Sequence, residues 1–232
     1  MRTRKSLYQR HRFPPDIIQH AVWLYHRFSL SYRDVEDLLA ERGVIVSYEK
    51  IRRWCTKFGP RYANRLRRRY GQHGDTWHVD EVFVRIHGEQ HYLFRAVDQD
   101  GDVVDILVQK KRNTKAAVPF FNKLMKGQGG SPRRVLTDKL KSYPAARRKV
   151  MPDVVHVTDR YANNRAEVSH EPTRQRERSM RRFKSLSRAQ RFLSDHGVVS
   201  NLFRLCRHLL RARNYRMFRM RAFVRWQQAT CV

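Results

Sequence analysis

The chain has 232 residues, of which 41% are hydrophobic and 11% aromatic, enough for one core domain and a smaller accessory one. With 50 Lys and Arg against 21 Asp and Glu its formal charge is +29, which points to a polyanionic partner and first of all to nucleic acid. No apolar run approaches the roughly 18–20 residues of a membrane span, and the basic start MRTRKSLYQRHRFPP leads into an amphipathic segment, so neither membrane insertion nor export is expected.

Residues 1–60 are expected to form three helices. Ile18, Ala21, Val22 and Tyr25 recur at i, i+3, i+4, i+7 after the start signal Pro14-Pro15-Asp16, and Val35, Leu38 and Leu39 follow the capping-box pattern Ser31-x-x-Asp34. After a turn at Gly43, Ser47 is placed to cap a third helix with Ile51, Trp54, Cys55 and Phe58 on one face. That leaves Tyr48, Glu49, Lys50, Arg52 and Arg53 toward solvent in its first turns. Helix, glycine turn and a second helix with a basic outer face is the helix-turn-helix pattern, whose last helix enters the major groove of double-stranded DNA; a plain packing bundle shares it. Residues 61–74, RYANRLRRRY then GQHG, read as a basic linker in which Arg65, Arg68 and Arg69 are expected to contact phosphate.

From Thr76 the apolar period changes from 3.6 to 2. Residues 77–86, 90–98 and 102–108 are short β-branched and aromatic runs joined by His87-Gly88-Glu89 and Gln99-Asp100-Gly101, which suit consecutive antiparallel hairpins. A helix over 114–125 follows, with Asn113 as its cap and Pro119 as a kink point. A fourth strand over 133–137, a short helix over 140–148, a fifth strand over 154–157 and a long helix capped by Asn163 or Asn164 complete the series. The order β-β-β-α-β-α-β-α corresponds to an α/β fold of the ribonuclease-H-like, retroviral-integrase type over residues 75–190: a mixed sheet with helices on both faces. Residues 191–232 are expected to form basic C-terminal helices. Arg204, Arg207 and Arg211 lie beside Leu202, Leu205 and Leu209, and packing on the catalytic core with an Arg-rich outer face is preferred to membrane binding.

Three acids stand out in so basic a chain: Asp80 in WHVDEVFVRI, Asp138 in RRVLTDKLKS and Glu167 in NNRAEVSHEP. Net charge is +11 over residues 1–74, +4 over 75–159 and +14 over 160–232, as expected if cationic flanks track phosphate backbones around an acidic centre. In the expected fold Asp80 lies within the first strand, Asp138 at the carboxyl end of the fourth, and Glu167 one turn into the last helix, so three sequence-distant carboxylates converge. Such oxygens would hold two Mg²⁺ ions at a scissile phosphate. Taken singly, Asp138 could be a helix cap, Glu167 a helix-dipole partner and Asp80 an exposed strand residue. Asp80 resists that reading, because Val82, Val84 and Ile86 share its strand face. Glu81 points to the other face and is not expected as a ligand unless the strand bulges. His78, His87, His91, His156 and His170 show no H-E-x-x-H, and Cys55, Cys206 and Cys231 are odd in number and far apart, so neither zinc nor a disulfide framework is expected and a reducing cytoplasm fits.

In these blocks the chain resembles the bacterial insertion-sequence DDE transposases, specifically the small cointegrate-forming group named insertion sequence six. SYRDVEDLLAERGV looks like that group's helix-turn-helix, WHVDEVFVRIHGEQHYLFRAVDQDG like its first catalytic block, and RNTKAAVPFFNKLM, TDKLKSY and NNRAEVSHEPTRQRERSMRRFKS like the later ones. The resemblance implies that Asp80, Asp138 and Glu167 are the metal-binding triad, with Mg²⁺ as cofactor and Mn²⁺ as a substitute. It implies that Arg174, seven residues after Glu167, also serves the site; seven helical residues turn through about 700°, which puts both on one helix face. It further implies binding of terminal inverted repeats, strand cleavage and strand transfer on DNA in the bacterial cytoplasm, and a dimer or higher oligomer that joins two ends. A nuclease or junction resolvase on the same fold, or a non-catalytic helix-turn-helix regulator, is the alternative.

Overall fold

The computed structural model describes residues 6–69, 73–138, 140–158, 175, 183–205 and 209–231. The chain divides into two compact units, one of residues 1–70 and 198–232, the other of residues 71–197.

The first unit begins with α1 (Pro15–Arg27), α2 (Tyr32–Ala40) and α3 (Tyr48–Arg69). The expected capping box is present: Ser31 Oγ accepts from the Asp34 amide at 3.1 Å, and Asp34 Oδ2 accepts from the Ser31 amide at 2.6 Å. Gly43, at φ 75°, closes α2: its amide donates to the Ala40 carbonyl and that of Val44 to the Leu39 carbonyl, both at 2.9 Å. This pair of bonds ends the helix through a left-handed residue that only glycine adopts at no cost.

The linker expected at 61–74 is corrected for its first part, because α3 continues to Arg69 through Gly59 and Pro60. Proline in a helix interior removes one hydrogen bond and crowds the preceding turn. Tertiary burial offsets that cost here: Tyr62, Ala63 and Leu66 carry on the apolar stripe of Ile51, Trp54, Cys55 and Phe58, all buried. The C-terminal helix, here α7 (Ala212–Thr230), covers this extension and belongs to the helical unit, not to the catalytic core as expected. Trp226 meets Tyr62 edge-on at 5.5 Å. The Tyr62 and Tyr8 hydroxyls are 2.6 Å apart, and the Tyr8 hydroxyl donates to the Thr230 carbonyl at 2.7 Å.

The second unit is built on β1 (Thr76–Ile86), β2 (Glu89–Asp98), β3 (Val103–Gln109), β4 (Arg134–Thr137) and β5 (Val155–Val157). Their order in the sheet is β3-β2-β1-β4-β5, with β1–β2 and β2–β3 antiparallel and β1–β4 and β4–β5 parallel. This is the ribonuclease-H-like arrangement expected from the sequence. His87 (φ 54°) and Gly88 (φ 85°) both take positive φ, the geometry of a two-residue turn that sets the β1–β2 register from Ile86↔Glu89 onward.

Helix α4 (Thr114–Gln128) is capped by Asn113, whose side chain accepts from the Ala116 amide at 3.0 Å. It runs through Pro119 because Ala116, Ala117, Phe120, Phe121 and Leu124 are buried. Together with α5 (Ser142–Val150) it buries Trp77 and Val79 of β1, Phe94 and Ala96 of β2 and Val135 of β4 on one sheet face. Helix α6 (Leu186–Phe203) lies along β3, where Gln190 accepts from the Val108 amide at 2.8 Å and donates to the Ile106 carbonyl at 3.2 Å. The expected cap at Asn163 or Asn164 and the helix after it lie outside the described residues.

If residues 61–69 are packed helix, Leu66→Ala, at a site 2% exposed, lowers unfolding free energy by about 2–5 kcal/mol in denaturant titration. A loss under about 0.5 kcal/mol, as for a surface change, would restore the linker.

Candidate metal centre

Strand β1 carries Asp80 into the middle of the sheet, opposite Arg95 of β2. On its other side the parallel ladder to β4 ends at the pair Val79↔Thr137, and Asp138 follows at once. Neighbouring strands are roughly 4.8 Å apart, so the two acids stand side by side where β4 leaves the sheet. With β4 gone, the Glu81 amide donates to Asp80 Oδ1 at 2.8 Å, and across the gap the Leu140 amide donates to Asp138 Oδ1 at 3.0 Å. One oxygen each of Asp80, Glu81 and Asp138 lies within 4.8 Å of the others, and all three residues are half-buried.

Glu81 was not expected in this group. The alternation of β1 does place it on the α4–α5 face, and no bulge interrupts the β1–β2 register. Its carboxylate nevertheless reaches the vacated strand edge, where Arg112 Nη1 lies 3.1 Å from Oε1 and the Tyr143 hydroxyl donates to Oε2. The Glu81 side chain is only 3% exposed. Period-two reading assigns faces but not what happens where a neighbouring strand stops, so Glu81 was invisible to it. Arg95 was legible: counting from the His87-Gly88 turn pairs it with Asp80.

Burial pushes the Asp138 carboxyl above the usual carboxylate range; Asp80 adds to the rise and the Leu140 amide opposes it. Burial likewise raises Glu81, with Asp138 and Asp80 adding and the Tyr143 bond and Arg112 opposing. Tyr143 is held well above its ordinary value by burial first and by Glu81 second. Close carboxylates made costlier by burial form a set of hard oxygen donors with excess negative charge, and this donor chemistry fits a divalent cation of the Mg²⁺ type. The group contains no histidine. Glu167 and Arg174, and His170 beside them, lie outside the described residues.

The residues expected to meet DNA differ in what they touch. Ser47, Tyr48 and Arg53 are exposed at the start of α3, and Lys50 is half-buried. Arg33 stacks its guanidinium 4.5 Å from the Tyr48 ring centre. Arg52 is held by Glu49 through two bonds of 2.8 and 2.6 Å, and Arg53 Nε is 3.5 Å from the same carboxylate. Arg65 donates to the Ala229 and Cys231 carbonyls, both at 3.2 Å, and so satisfies the end of α7. Arg68 and Arg69 are exposed at the end of α3.

A family model described as a DDE domain matches residues 74–205. The chain is 33% identical over 205 residues to the transposase for insertion sequence-like element IS431mec of Staphylococcus aureus strain Mu50, covering 86% of this chain and 89% of that one. It is 32% identical over the same length to the Staphylococcus aureus transposase for insertion sequence element IS257 in transposon Tn4003, with the same coverage. Among solved structures, the HTLV-2 integrase catalytic core domain in complex with magnesium is similar at a TM-score of 0.44 and 13% identity, covering 58% of this chain and 89% of that one.

The raised Asp138 and Glu81 carboxyls fix a sign for stability. A carboxyl raised in the folded state contributes stability below its unfolded value and loses it as pH rises through the folded value, so the metal-free protein is strained at neutral pH. Asp138→Asn therefore raises the metal-free Tm at pH 7, by about 2–4 °C for each kcal/mol relieved, and the gain vanishes near pH 4. An unchanged or lower Tm at pH 7 in thermal denaturation would refute the repulsion.

Proposed function

Since the chain belongs to the insertion sequence six family of DDE transposases, enzymes of metal-dependent DNA transesterification, we propose that it binds the terminal inverted repeats of an insertion sequence and catalyses Mg²⁺-dependent strand cleavage and strand transfer, leading to a cointegrate. The observation that carries this reading is the convergence of Asp80 and Asp138 at the end of β4 in a chain of net charge +29. Carboxylates would repel a DNA backbone unless cations lie between them.

Asp80, Asp138 and Glu167 hold the metal. A divalent ion there, Mg²⁺ or Mn²⁺ and two in number, would supply charge neutralisation at the scissile phosphate and activation of the attacking oxygen. The chain's own residues do the rest. Asp80 and Asp138 present oxygens already aimed by the Glu81 and Leu140 amides, so little reorganisation is left for the reaction. Arg174, expected from its seven-residue spacing to share a helix face with Glu167, would hold a phosphate as a bidentate donor. The attacking group is water in cleavage and the freed 3′-hydroxyl in joining, and no covalent link to the protein forms.

End recognition falls to the first turns of α3, with Ser47, Tyr48, Lys50 and Arg53 toward the major groove and Arg68 and Arg69 on phosphates. Arg52 and Arg65 serve these surfaces indirectly, Arg52 through Glu49 and Arg65 by fixing α7. Joining two ends calls for a dimer or higher oligomer, working on DNA in the bacterial cytoplasm and nucleoid.

Labelled element-end DNA with Mg²⁺ tests the reading. Joined product is expected; hydrolysed product alone would mark a nuclease or resolvase, and a shifted band alone a regulator. Asp80→Asn, Asp138→Asn and Glu167→Gln each abolish both products while end binding stays within about twofold of the unmodified protein, because each removes ligand charge at nearly constant shape. Near-normal strand transfer by any of the three would remove that residue from the triad.

Recognition is separable from chemistry. Lys50→Ala and Arg53→Ala weaken binding to specific ends by about 1–3 kcal/mol and to random DNA by less. Equal losses on both, at one salt concentration, would make them phosphate contacts only.

A further inference from the structure

The strand ladder that brings Asp80 and Asp138 together ends one residue before either of them, at Val79↔Thr137. Their separation beyond that point must be held by something else. A continuous run of hydrogen bonds links them. The Glu81 amide donates to Asp80 Oδ1 at 2.8 Å. The Glu81 carboxylate accepts from the Tyr143 hydroxyl. The Tyr143 amide donates to the Leu140 carbonyl at 3.1 Å, and the Leu140 amide donates to Asp138 Oδ1 at 3.0 Å.

We propose that Glu81, anchored by Tyr143 and Arg112, is a positioning residue that sets the distance between the two metal-binding aspartates. This rests on the metal-binding role given to Asp80 and Asp138 above. The anchor is rigid: the Tyr143 ring is fully buried, edge-on to Phe94 and to Phe121 with both centroid distances at 6.2 Å. Two donors from separate segments, Arg112 before α4 and Tyr143 in α5, occupy the two oxygens of Glu81. Only a carboxylate accepts from both at once; a carboxamide must turn its NH₂ toward one of them. With both oxygens held by these donors, Glu81 is assigned a role through Asp80 and Asp138, and the variants below separate that role from direct ligation. Partners of this kind orient ligands, and losing one typically costs about 10–100-fold in metal affinity or activity.

The test uses the full chain with Mn²⁺ as the probe. Mn²⁺ binding is followed by electron paramagnetic resonance, alongside metal-free Tm, end-DNA binding and strand transfer across a Mg²⁺ series. In Tyr143→Phe the ring stays and the hydroxyl goes. Mn²⁺ affinity is expected to fall about 10–100-fold, the half-saturating Mg²⁺ to rise in step, the maximal rate to return at high Mg²⁺, and DNA binding to be unchanged. Glu81→Gln gives the same pattern. Mn²⁺ affinity within twofold of the unmodified protein in Tyr143→Phe would overturn the proposal. So would a loss of affinity in Tyr143→Phe that stabilising solutes restore along with Tm, which would make the bond merely structural. Abolished Mn²⁺ binding in Glu81→Gln with normal binding in Tyr143→Phe would make Glu81 a ligand and overturn it too. Failure of the unmodified chain to bind Mn²⁺, or full binding by Asp80→Asn, would instead strike down the metal reading beneath it, and this inference with it.

Discussion

The parallel pairing of β1 with β4 is the constraint on which the site depends. Four backbone pairs, from Thr76↔Arg134 to Val79↔Thr137, join segments more than fifty positions apart in the chain. A parallel pair cannot be closed by a tight turn and needs a crossover; the third strand and α4 supply it. The register is not free to slip. Trp77 and Val79 alternate into the core with Val135, Phe120 and Phe121, and a shift of one residue would turn this apolar set to the opposite face and Asp80 away from Asp138. Packing of apolar side chains thus fixes the place of charged ones.

That placement has an electrostatic cost the protein carries in its metal-free form. Glu81 and Asp138 are both raised by burial and by neighbouring carboxylates, and Arg112, at 44% side-chain exposure, is a weak counterweight. A solvated cation of this kind is worth little. The surrounding chain is cationic enough to draw DNA, and among the described residues Arg112 pairs with Glu81 while Arg95 stands opposite Asp80. In the proposed reading a divalent ion would offset this repulsion, the ordinary trade between function and stability.

Much of this was legible in the sequence. The hairpin signals at His87-Gly88 and Gln99-Asp100-Gly101 announced consecutive antiparallel strands, and both turns are there. An acid on an otherwise apolar strand face marked Asp80, and an acid directly after a short β-branched strand marked Asp138. What escaped depended on partners far along the chain. Gly59-Pro60 reads locally as a break, and only the burial of Tyr62 and Leu66 beneath α7 shows why the helix passes through it. Arg65 reads locally as one more phosphate contact, and its bonds to the carbonyls of Ala229 and Cys231 have no signal in the local sequence. Glu81 was excluded by strand parity, a rule that holds only while both neighbouring strands continue.

The helical unit shows how a basic surface can be built without being uniformly available. Glu49 pairs with Arg52 through two short bonds and with Arg53 at 3.5 Å, so charge is distributed by local pairing as well as by composition. The central claim, that the end of β4 is a divalent-cation site, is tested most directly by anomalous diffraction from crystals of the full chain soaked in Mn²⁺. The account predicts an anomalous peak beside the Asp80 and Asp138 carboxylates. Full soaking with no peak there, or with peaks only on surface histidines, would contradict it.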